Sequence, residues 1–218
     1  QFDANLDYQR QAIDAVLGLF RGQEICRTQF TVTKAGSGGQ NLFGFERDDI
    51  GIGNRLLLLR EQILANLRDV QLRNGLRQSD TLESFDFTVE METGTGKTYV
   101  YLRTVRELAQ RYGFTKFVIV VPSVAIKEGV YKSLQIMAPH FRSLYSGQPF
   151  EYFLYDSAKL NQVRNFATSQ HLQVMVVTVG AINKKDVNNL YKDTEKTGGE
   201  KPIDLIRATR PILIVDEP

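Results

Sequence analysis

Apolar residues recur at helical spacing in three long parts of the chain. From Tyr8 to Phe20 they fall on one helical face, and Gly22 can end this helix. A second helix is predicted within residues 56–76, where apolar and charged positions are mixed at helical intervals. A third helical pattern follows later and ends at Gly113. Each of these patterns predicts a helix with one buried face.

The second half of the chain alternates short apolar runs with helical patterns. Phe117–Val121 and Val174–Val179 are continuous apolar runs, which suit strands that are covered on both faces of a sheet. Two further strands are predicted at Tyr152–Tyr155 and Ile212–Val215, and two further helices at 124–137 and 158–167. Because strands and helices alternate, we predict an α/β fold, a three-layer domain around a central, mostly parallel sheet.

Residues 23–84 depart from this alternation. A polar loop at Ala35–Asn41 separates a predicted strand, Gln29–Thr33, from a second one near Leu42–Phe45. We interpret the region as an inserted hairpin followed by the second helix. The whole of 1–218 is otherwise predicted to form one domain, because its length and its 42% hydrophobic composition fit ordinary globular values.

A loop rich in glycine and threonine follows Phe85–Met91, a segment in which every second residue is apolar and which predicts a half-buried strand. Gly94 and Gly96 allow a tight turn that points backbone N–H groups at a phosphate, at the positive end of the following helix. Lys97 adds a positive charge, and Thr98 supplies a hydroxyl of the kind that ligates Mg²⁺. The loop therefore predicts a nucleotide site.

The match to the general phosphate-loop pattern G-x-x-x-x-G-K-[ST] is incomplete. Its first glycine would fall at position 91, where the chain has Met91. An ordinary turn is the alternative, but Gly-Lys-Thr between a predicted strand and an amphipathic helix favours phosphate binding. The loop residues predicted to hold the nucleotide are Thr93, Gly94, Thr95, Gly96, Lys97 and Thr98.

Two acidic residues follow the last predicted strand. Asp216 would hold Mg²⁺, directly or through water, and Glu217 would polarise the water that attacks the γ-phosphate. Acidic residues at strand ends often only cap the next turn, yet a phosphate loop earlier in the same chain favours the catalytic role. Lys97, Asp216 and Glu217 are therefore the candidate catalytic residues, and Thr98 and Asp216 the candidate metal ligands.

Gln9, near the start of the first helix, is the candidate for adenine recognition. Its amide can pair with the N6 and N7 edge of adenine. A glutamine at a helix start is ordinarily a surface residue, so this hypothesis depends on the phosphate loop and the acidic pair. Together these positions predict ATP and Mg²⁺ as the bound cofactors.

Two strand-to-helix turns lie at the carboxyl edge of the predicted sheet. The first contains Pro122, Ser123 and Lys127, and the second contains Thr178 and Gly180. Their hydroxyls, backbone N–H groups and lysine could meet a phosphodiester backbone, because ligands of open α/β sheets gather at this edge. The alternative is that both are ordinary turns, with Ser123 as a helix N-cap.

The composition favours one cellular location but does not identify a binding partner. The formal net charge of +2 neither requires nor excludes nucleic acid. The single cysteine, Cys26, cannot form an internal disulfide, which favours a reducing, cytoplasmic location. No apolar run approaches the roughly twenty residues of a membrane span. The chain begins at Gln1 and stops at Pro218, directly after a predicted strand, so we expect a fragment of a longer protein.

Two further patterns point to other kinds of site. Asn183–Asp186 reads Asn-Lys-Lys-Asp, which matches the guanine-selecting N-K-x-D of GTPases. Other residues separate it from the preceding predicted strand, and no D-x-x-G lies between positions 98 and 183, so a guanine site is disfavoured. His140 and His171 have no ligand or nucleophile pattern, and we expect them at the surface or the edge of the core.

Several short segments occur in an order that characterises one family. They are Tyr8-Gln9, Gly53–Leu57, Glu61–Asn66, Glu92–Thr98, Val120–Val130, Thr178–Gly180 and Val215–Pro218. In this order they resemble superfamily 2 helicases, and most closely the restriction subunit of type III restriction–modification enzymes. The resemblance covers nearly the whole chain.

The resemblance implies a first RecA-like motor domain, which hydrolyses ATP while it moves on, or switches state on, double-stranded DNA. It also implies a partner modification (methyltransferase) subunit and a nuclease domain. The second motor domain and the nuclease residues are expected outside 1–218. Two alternatives stay open: a superfamily 2 RNA or DNA helicase without a nuclease, and a nucleotide-binding switch that is not a motor.

Overall fold

The computed structural model describes residues 6–32, 49–183, 189–192 and 201–216, and the chain divides into two compact units. The first unit draws on residues 1–26, 56–113 and 137–146, and the second on residues 27–55, 114–136 and 147–218. The organisation of 1–218 as one domain with an insertion at about 23–84 stays a prediction.

Three helices build most of the first unit. They are α1 (Asp7–Leu19), α2 (Arg60–Arg73) and α3 (Lys97–Tyr112), and they are joined by the last part of α4 (Val124–Leu144). α1 packs against both α2 and α3. Ile13, Leu17, Ile63 and Val105 are buried, so the apolar faces that the sequence predicts for these helices are confirmed.

The predicted strand at Phe85–Met91 is wrong, because residues 85–91 form neither helix nor strand. Phe85 is 48% exposed and Val89 is 45% exposed, so the alternating apolar side chains bury no common face. A strand depends on ladder hydrogen bonds to a neighbouring strand, and alternation along the chain does not supply that neighbour. The phosphate loop is therefore approached by an irregular segment.

Two antiparallel strands open the second unit. They are β1 (Arg27–Val32) and β2 (Asp49–Asn54), with Arg27 opposite Asn54. β1 confirms the predicted strand as far as Val32, whereas the strand predicted near Leu42–Phe45 lies outside the described residues. β1 therefore belongs to an antiparallel pair, but its partner in the described residues is β2, a strand that the sequence did not predict.

The second strand, β2, escapes sequence prediction because glycine and asparagine are poor strand formers. Its glycines are required by close neighbours. A Cβ on Gly51 would lie 2.3 Å from a carbon of the Phe30 ring, and a Cβ on Gly53 would lie 2.7 Å from the Thr209 carbonyl oxygen. Packing from distant parts of the chain therefore dictates this sequence.

A four-stranded parallel sheet forms the centre of the second unit. Its strands are β3 (Lys116–Val121), β4 (Phe150–Leu154), β5 (Leu172–Thr178) and β6 (Ile212–Val215), in the spatial order β4-β5-β3-β6. Every residue of β3 is buried, as expected of a central parallel strand. The α/β prediction is confirmed.

Helices α5 (Asn161–Thr168), α6 (Val179–Asn183) and α7 (Pro202–Ala208) complete the second unit. Side chains of α5 and α7, including Phe166 and Leu205, share one apolar cluster with Val118 of β3 and Met175 of β5. One face of the sheet is thus covered by these two helices. Within the described residues, no helix combines the length and hydropathy that crossing a bilayer requires.

Asn54 joins the end of β2 to the start of the parallel sheet. Its side-chain Nδ2 donates to the carbonyl oxygens of Lys116 (2.8 Å) and Arg210 (3.1 Å). Its Oδ1 accepts from the backbone N–H groups of Thr115 (2.8 Å) and Lys116 (3.1 Å). The buried amide therefore uses two donors and two acceptor positions, which is its full hydrogen-bonding capacity.

Replacing Asn54 with alanine is expected to destabilise the second unit by about 3 kcal/mol or more, because each buried group that it leaves unpaired costs roughly 1–3 kcal/mol. The loss should appear as faster hydrogen exchange of β3 amides in the complete protein. Asn165→Ala, at an exposed position of α5, is the matched control. Equal exchange in the two variants would contradict the role assigned to Asn54.

Lys116, the first residue of β3, is fully buried and holds the carboxyl end of α5. Its Nζ donates to the carbonyl oxygens of Phe166 (2.6 Å) and Ser169 (2.5 Å) and lies 5.5 Å from the Phe166 ring centroid. Burial, with a smaller effect of Arg27, lowers the Lys116 pKa to about 7. A neutral amine still has two N–H donors, which suffice for these two carbonyl groups.

Candidate nucleotide site

The glycine-rich loop of the first unit adopts a conformation that glycine favours. Gly94 has a φ of +81° and Gly96 a φ of +84°, both in the left-handed region. Within the loop, the Thr95 hydroxyl donates to the Glu92 carbonyl oxygen at 2.6 Å. Gly96 is the N-cap of α3, and its carbonyl oxygen accepts from the Val100 N–H at 3.1 Å.

Lys97 and Thr98 form the first turn of α3, a helix of 16 residues. The first N–H groups of a helix have no acceptor within it and carry the positive end of the helix dipole. Both side chains are half-buried, and no acidic residue lies in this turn to oppose an anion. The turn is therefore suited to bind phosphate, as the sequence predicts.

Gln9 of α1 lies against this loop and is 7% exposed. Its Nε2 donates to the Thr95 carbonyl oxygen at 2.8 Å. A Cβ on Gly96 would lie 2.7 Å from the same nitrogen, so a larger residue there would have to displace the Gln9 amide from the loop. Gln9 thus fastens α1 to the loop, a role that sequence reasoning missed. Its contact with adenine stays a prediction.

Tyr99, the third residue of α3, is buried and contacts the half-buried His140 of α4. The Tyr99 hydroxyl lies 3.0 Å from His140 Nε2, and Phe141 stacks on the Tyr99 ring with centroids 5.6 Å apart. Burial and the nearby charge of Arg103 lower the His140 pKa. The prediction of a core-edge position for His140 agrees with this half-buried place, but no local pattern signals its contact with α3.

The candidate acidic residues follow β6 in the second unit. The Asp216 N–H donates to the Val120 carbonyl oxygen at 3.0 Å, so Asp216 continues the pairing of β6 with β3. This places it at the carboxyl end of the parallel strands, where ligands of open α/β sheets bind. Glu217 lies outside the described residues. The meeting of Asp216 with the phosphate loop, which belongs to the first unit, stays a prediction.

The chemistry of these side chains suits a magnesium ion that is bound together with nucleotide. The Thr98 hydroxyl and the Asp216 carboxylate are each oxygen ligands of the kind that Mg²⁺ takes, and their meeting at one ion stays a prediction. Among the described residues, no group of three or more His, Cys, Asp or Glu side chains could hold a metal ion. Phosphate oxygens and water would complete the coordination.

An open basin of about 630 Å³ lies beside the ends of β4 and β5 in the second unit. Two of the predicted nucleic-acid residues, Lys127 and Thr178, line it together with Tyr131 and Tyr152. The Lys127 Nζ donates to the Tyr155 carbonyl oxygen at 3.3 Å. The structure therefore brings these two predicted residues to one surface.

The other predicted nucleic-acid residues do not line this basin. Pro122, Ser123 and Gly180 are exposed. The Ser123 Oγ accepts from the Ile126 N–H at 3.3 Å, which is the ordinary N-cap contact that the sequence left open as an alternative. Capping does not exclude a contact with phosphate, so the role of these three residues in binding nucleic acid stays a prediction.

A glycine-rich loop at the start of a helix, in a chain that also contains a parallel α/β sheet, is the combination found in RecA-like domains. The family model described as "Type III restriction enzyme, res subunit" matches residues 4–218. The chain belongs to this family, and the resemblance drawn from its sequence is confirmed.

Three individual relatives are Res subunits of type III restriction-modification enzymes. The chain is 27% identical to the type III restriction-modification enzyme EcoP15I Res subunit of Escherichia coli, over 99% of this chain and 23% of the relative. It is 26% identical to the EcoPI Res subunit of Escherichia phage P1, over 100% of this chain and 23% of that relative. It is 36% identical to the StyLTI Res subunit of Salmonella typhimurium (strain LT2), over 60% of this chain and 15% of that relative. The chain therefore spans under a quarter of the length of these proteins.

Proposed function

We propose that the chain is the ATP-binding part of a DNA-dependent ATPase, the restriction subunit that drives endonucleolytic DNA cleavage in a type III restriction enzyme. The observation that supports this most strongly is the phosphate loop, with two left-handed glycines at the start of α3 and Gln9 bonded to its turn. Membership of the family supports the same activity.

In this proposal each site residue has a separate task. Lys97 and the first N–H groups of α3 hold the phosphates of ATP. Thr98 and Asp216 hold Mg²⁺, and Glu217 orients the attacking water. Gln9 holds the loop and faces adenine. An arginine finger is typically worth roughly 10³–10⁵ in rate, and none is assigned within 1–218, so the chain alone should hydrolyse ATP feebly.

Double-stranded DNA and a modification (methyltransferase) subunit are the proposed partners, in the cytoplasm. The names of the relatives, type III restriction-modification enzyme Res subunits, support this proposal. Lys127, Thr178 and the exposed turns at Ser123 and Gly180 are the proposed DNA contacts, since hydroxyls, lysine and backbone N–H groups bind phosphodiesters.

Linear double-stranded DNA should strongly stimulate ATP hydrolysis by the complete protein. A slow rate of ATP hydrolysis that does not change when DNA is added would instead indicate a nucleotide-binding switch. Stronger stimulation by duplex RNA than by duplex DNA would indicate an RNA helicase. Parallel measurements with the two duplexes at one salt concentration separate the three functions, because binding to either backbone depends on salt.

Lys127→Ala is expected to weaken DNA binding several-fold and to reduce the salt dependence of log K by about one unit, because one phosphate contact is lost. Fluorescence anisotropy with duplexes of two unrelated sequences measures both effects, which should be equal for the two sequences. Lys132→Ala, an exposed lysine of the same helix, is the control. If the two variants have equal salt dependence, Lys127 is not a DNA contact.

A further inference from the structure

The segment that approaches the phosphate loop is held by side chains of α2. Residues 78–85 form neither helix nor strand, and Leu82 is the one side chain among them that is buried. A segment of this kind has little apolar contact to fix its path. Its main-chain groups nevertheless form hydrogen bonds to side chains of α2.

Ser79 is bound at three of its atoms by two side chains of α2. Its carbonyl oxygen accepts from Arg68 Nε at 2.8 Å, and the same guanidinium donates through Nη2 to the Asp80 carbonyl oxygen at 2.6 Å. The Ser79 N–H donates to Gln71 Oε1 at 2.8 Å, and the Ser79 Oγ accepts from Gln71 Nε2 at 2.9 Å. Such paired bonds fix direction as well as distance.

Arg60 holds the next part of the segment. Its Nη1 donates to the carbonyl oxygens of Leu82 and Glu83, the latter at 3.1 Å. Its guanidinium also lies 4.9 Å from the centroid of the Phe85 ring, a cation–π distance. Positions 60, 68 and 71 fall on one side of a helix, since residues at such spacings share a face.

The helix that carries these side chains is itself tied to α1. Asn66 Nδ2 donates to the carbonyl oxygens of Leu19 (3.0 Å) and Arg21 (2.9 Å). Gly18 of α1 lets α2 come close, because a Cβ there would lie 2.8 Å from Val70 Cγ2. α1 in turn carries Gln9, which binds the turn of the loop. The segment that precedes the loop is therefore held by α2, and the turn of the loop is held by α1, which packs against α2.

We propose that Arg60, Arg68 and Gln71 are positioning residues for the phosphate loop, and we name these three side chains the α2 clamp. The inference rests on the proposed function, because it requires that Gly94–Thr98 binds ATP. Residues 85–91 have no strand to fix them, so the clamp sets the path by which the chain reaches the loop. Because the N–H groups at a helix start bind phosphate only where they point at it, the path of the chain into the loop sets the affinity for nucleotide.

The test measures ATP hydrolysis by the complete protein in the variants Arg68→Met and Gln71→Leu. The Michaelis constant for ATP should rise about tenfold, with kcat at saturating ATP within about twofold of wild type. Fluorescent N-methylanthraniloyl-ADP should bind about tenfold more weakly. A clamp that only stabilised the fold would give the opposite result, since a smaller folded fraction lowers kcat and leaves the Michaelis constant unchanged.

Two matched variants sharpen the test. Gln71→Glu should behave as wild type, because the carboxylate still accepts from the Ser79 N–H and the Ser79 hydroxyl can donate to it. Arg77→Met removes a positive charge from an exposed position close to the clamped segment and should change nothing. If Arg68→Met does not fold, the comparison of Gln71→Leu with Gln71→Glu decides the question.

An unchanged Michaelis constant in Gln71→Leu would overturn the α2 clamp. Equal defects in Gln71→Leu and Gln71→Glu, or a defect in Arg77→Met, would do the same. A different result would contradict the proposed function itself: Lys97→Ala would bind N-methylanthraniloyl-ADP as tightly as wild type does. Loss of binding in Lys97→Ala with normal clamp variants would reject the clamp alone.

Discussion

Replacing Lys97 with alanine should lower DNA-stimulated ATP hydrolysis by the complete protein at least about 100-fold, the usual loss when one charge-stabilising group is removed from an active site. Lys97 starts α3 directly after two left-handed glycines, so its charge adds to that of the exposed helix N–H groups. Phosphoryl transfer depends chiefly on such stabilisation, because little covalent chemistry is left to the protein.

The rate is best measured as phosphate release with saturating linear DNA. Arg10→Ala is the control, since Arg10 is an exposed cation next to Gln9 on α1 and has no place in the proposed site. The control should keep the wild-type rate. Normal hydrolysis by Lys97→Ala would remove the basis for an ATP site in Gly94–Thr98.

Asp216→Asn and Glu217→Gln should each reduce the rate of hydrolysis by roughly 100- to 1,000-fold, the range seen when a single transition-state contact is lost. Their effects on binding should differ. Asp216→Asn should raise the Mg²⁺ concentration needed for half-maximal activity, because an amide is a weaker ligand than a carboxylate. Glu217→Gln should bind ATP and Mg²⁺ normally, because it loses only the group that polarises the water.

Single-turnover hydrolysis across a magnesium titration distinguishes the two variants. The backbone N–H of Asp216 bonds to the Val120 carbonyl oxygen, and asparagine keeps that bond, so the fold should be unaffected. Asp204→Asn, at an exposed position of α7, controls for loss of a surface carboxylate. Identical magnesium dependence in Asp216→Asn and wild type would exclude Asp216 as a metal ligand.

Short-range patterns were enough to predict much of the fold and the start of α3 at the glycine-rich loop. Phe117–Val121 is apolar throughout, and β3 is indeed buried at every position. The Gly-Lys-Thr run predicts a helix that begins at the phosphate loop, and α3 begins at Lys97. These features depend on neighbouring residues, whose propensities and spacing act locally.

The same kind of reasoning failed where a partner from elsewhere in the chain was needed. The alternation in Phe85–Met91 is that of a strand, yet this segment has no ladder and is held upstream by the α2 clamp. β2 looks unlike a strand, yet its glycines are the residues that allow Phe30 and Thr209 to approach. Strand propensity reports packing against neighbours, which one segment does not reveal.

Sequence patterns alone identified α1 to α5, the central parallel strands and the glycine-rich loop at the start of α3, because each follows from residues that adjoin one another. The folded chain was needed to show that Gln9 bonds to the Thr95 carbonyl oxygen, and that Asn54 fastens β2 to the sheet. It was also needed to reveal the α2 clamp. In each case a polar side chain meets main-chain atoms from another part of the chain. Such pairings leave no periodic trace along the sequence.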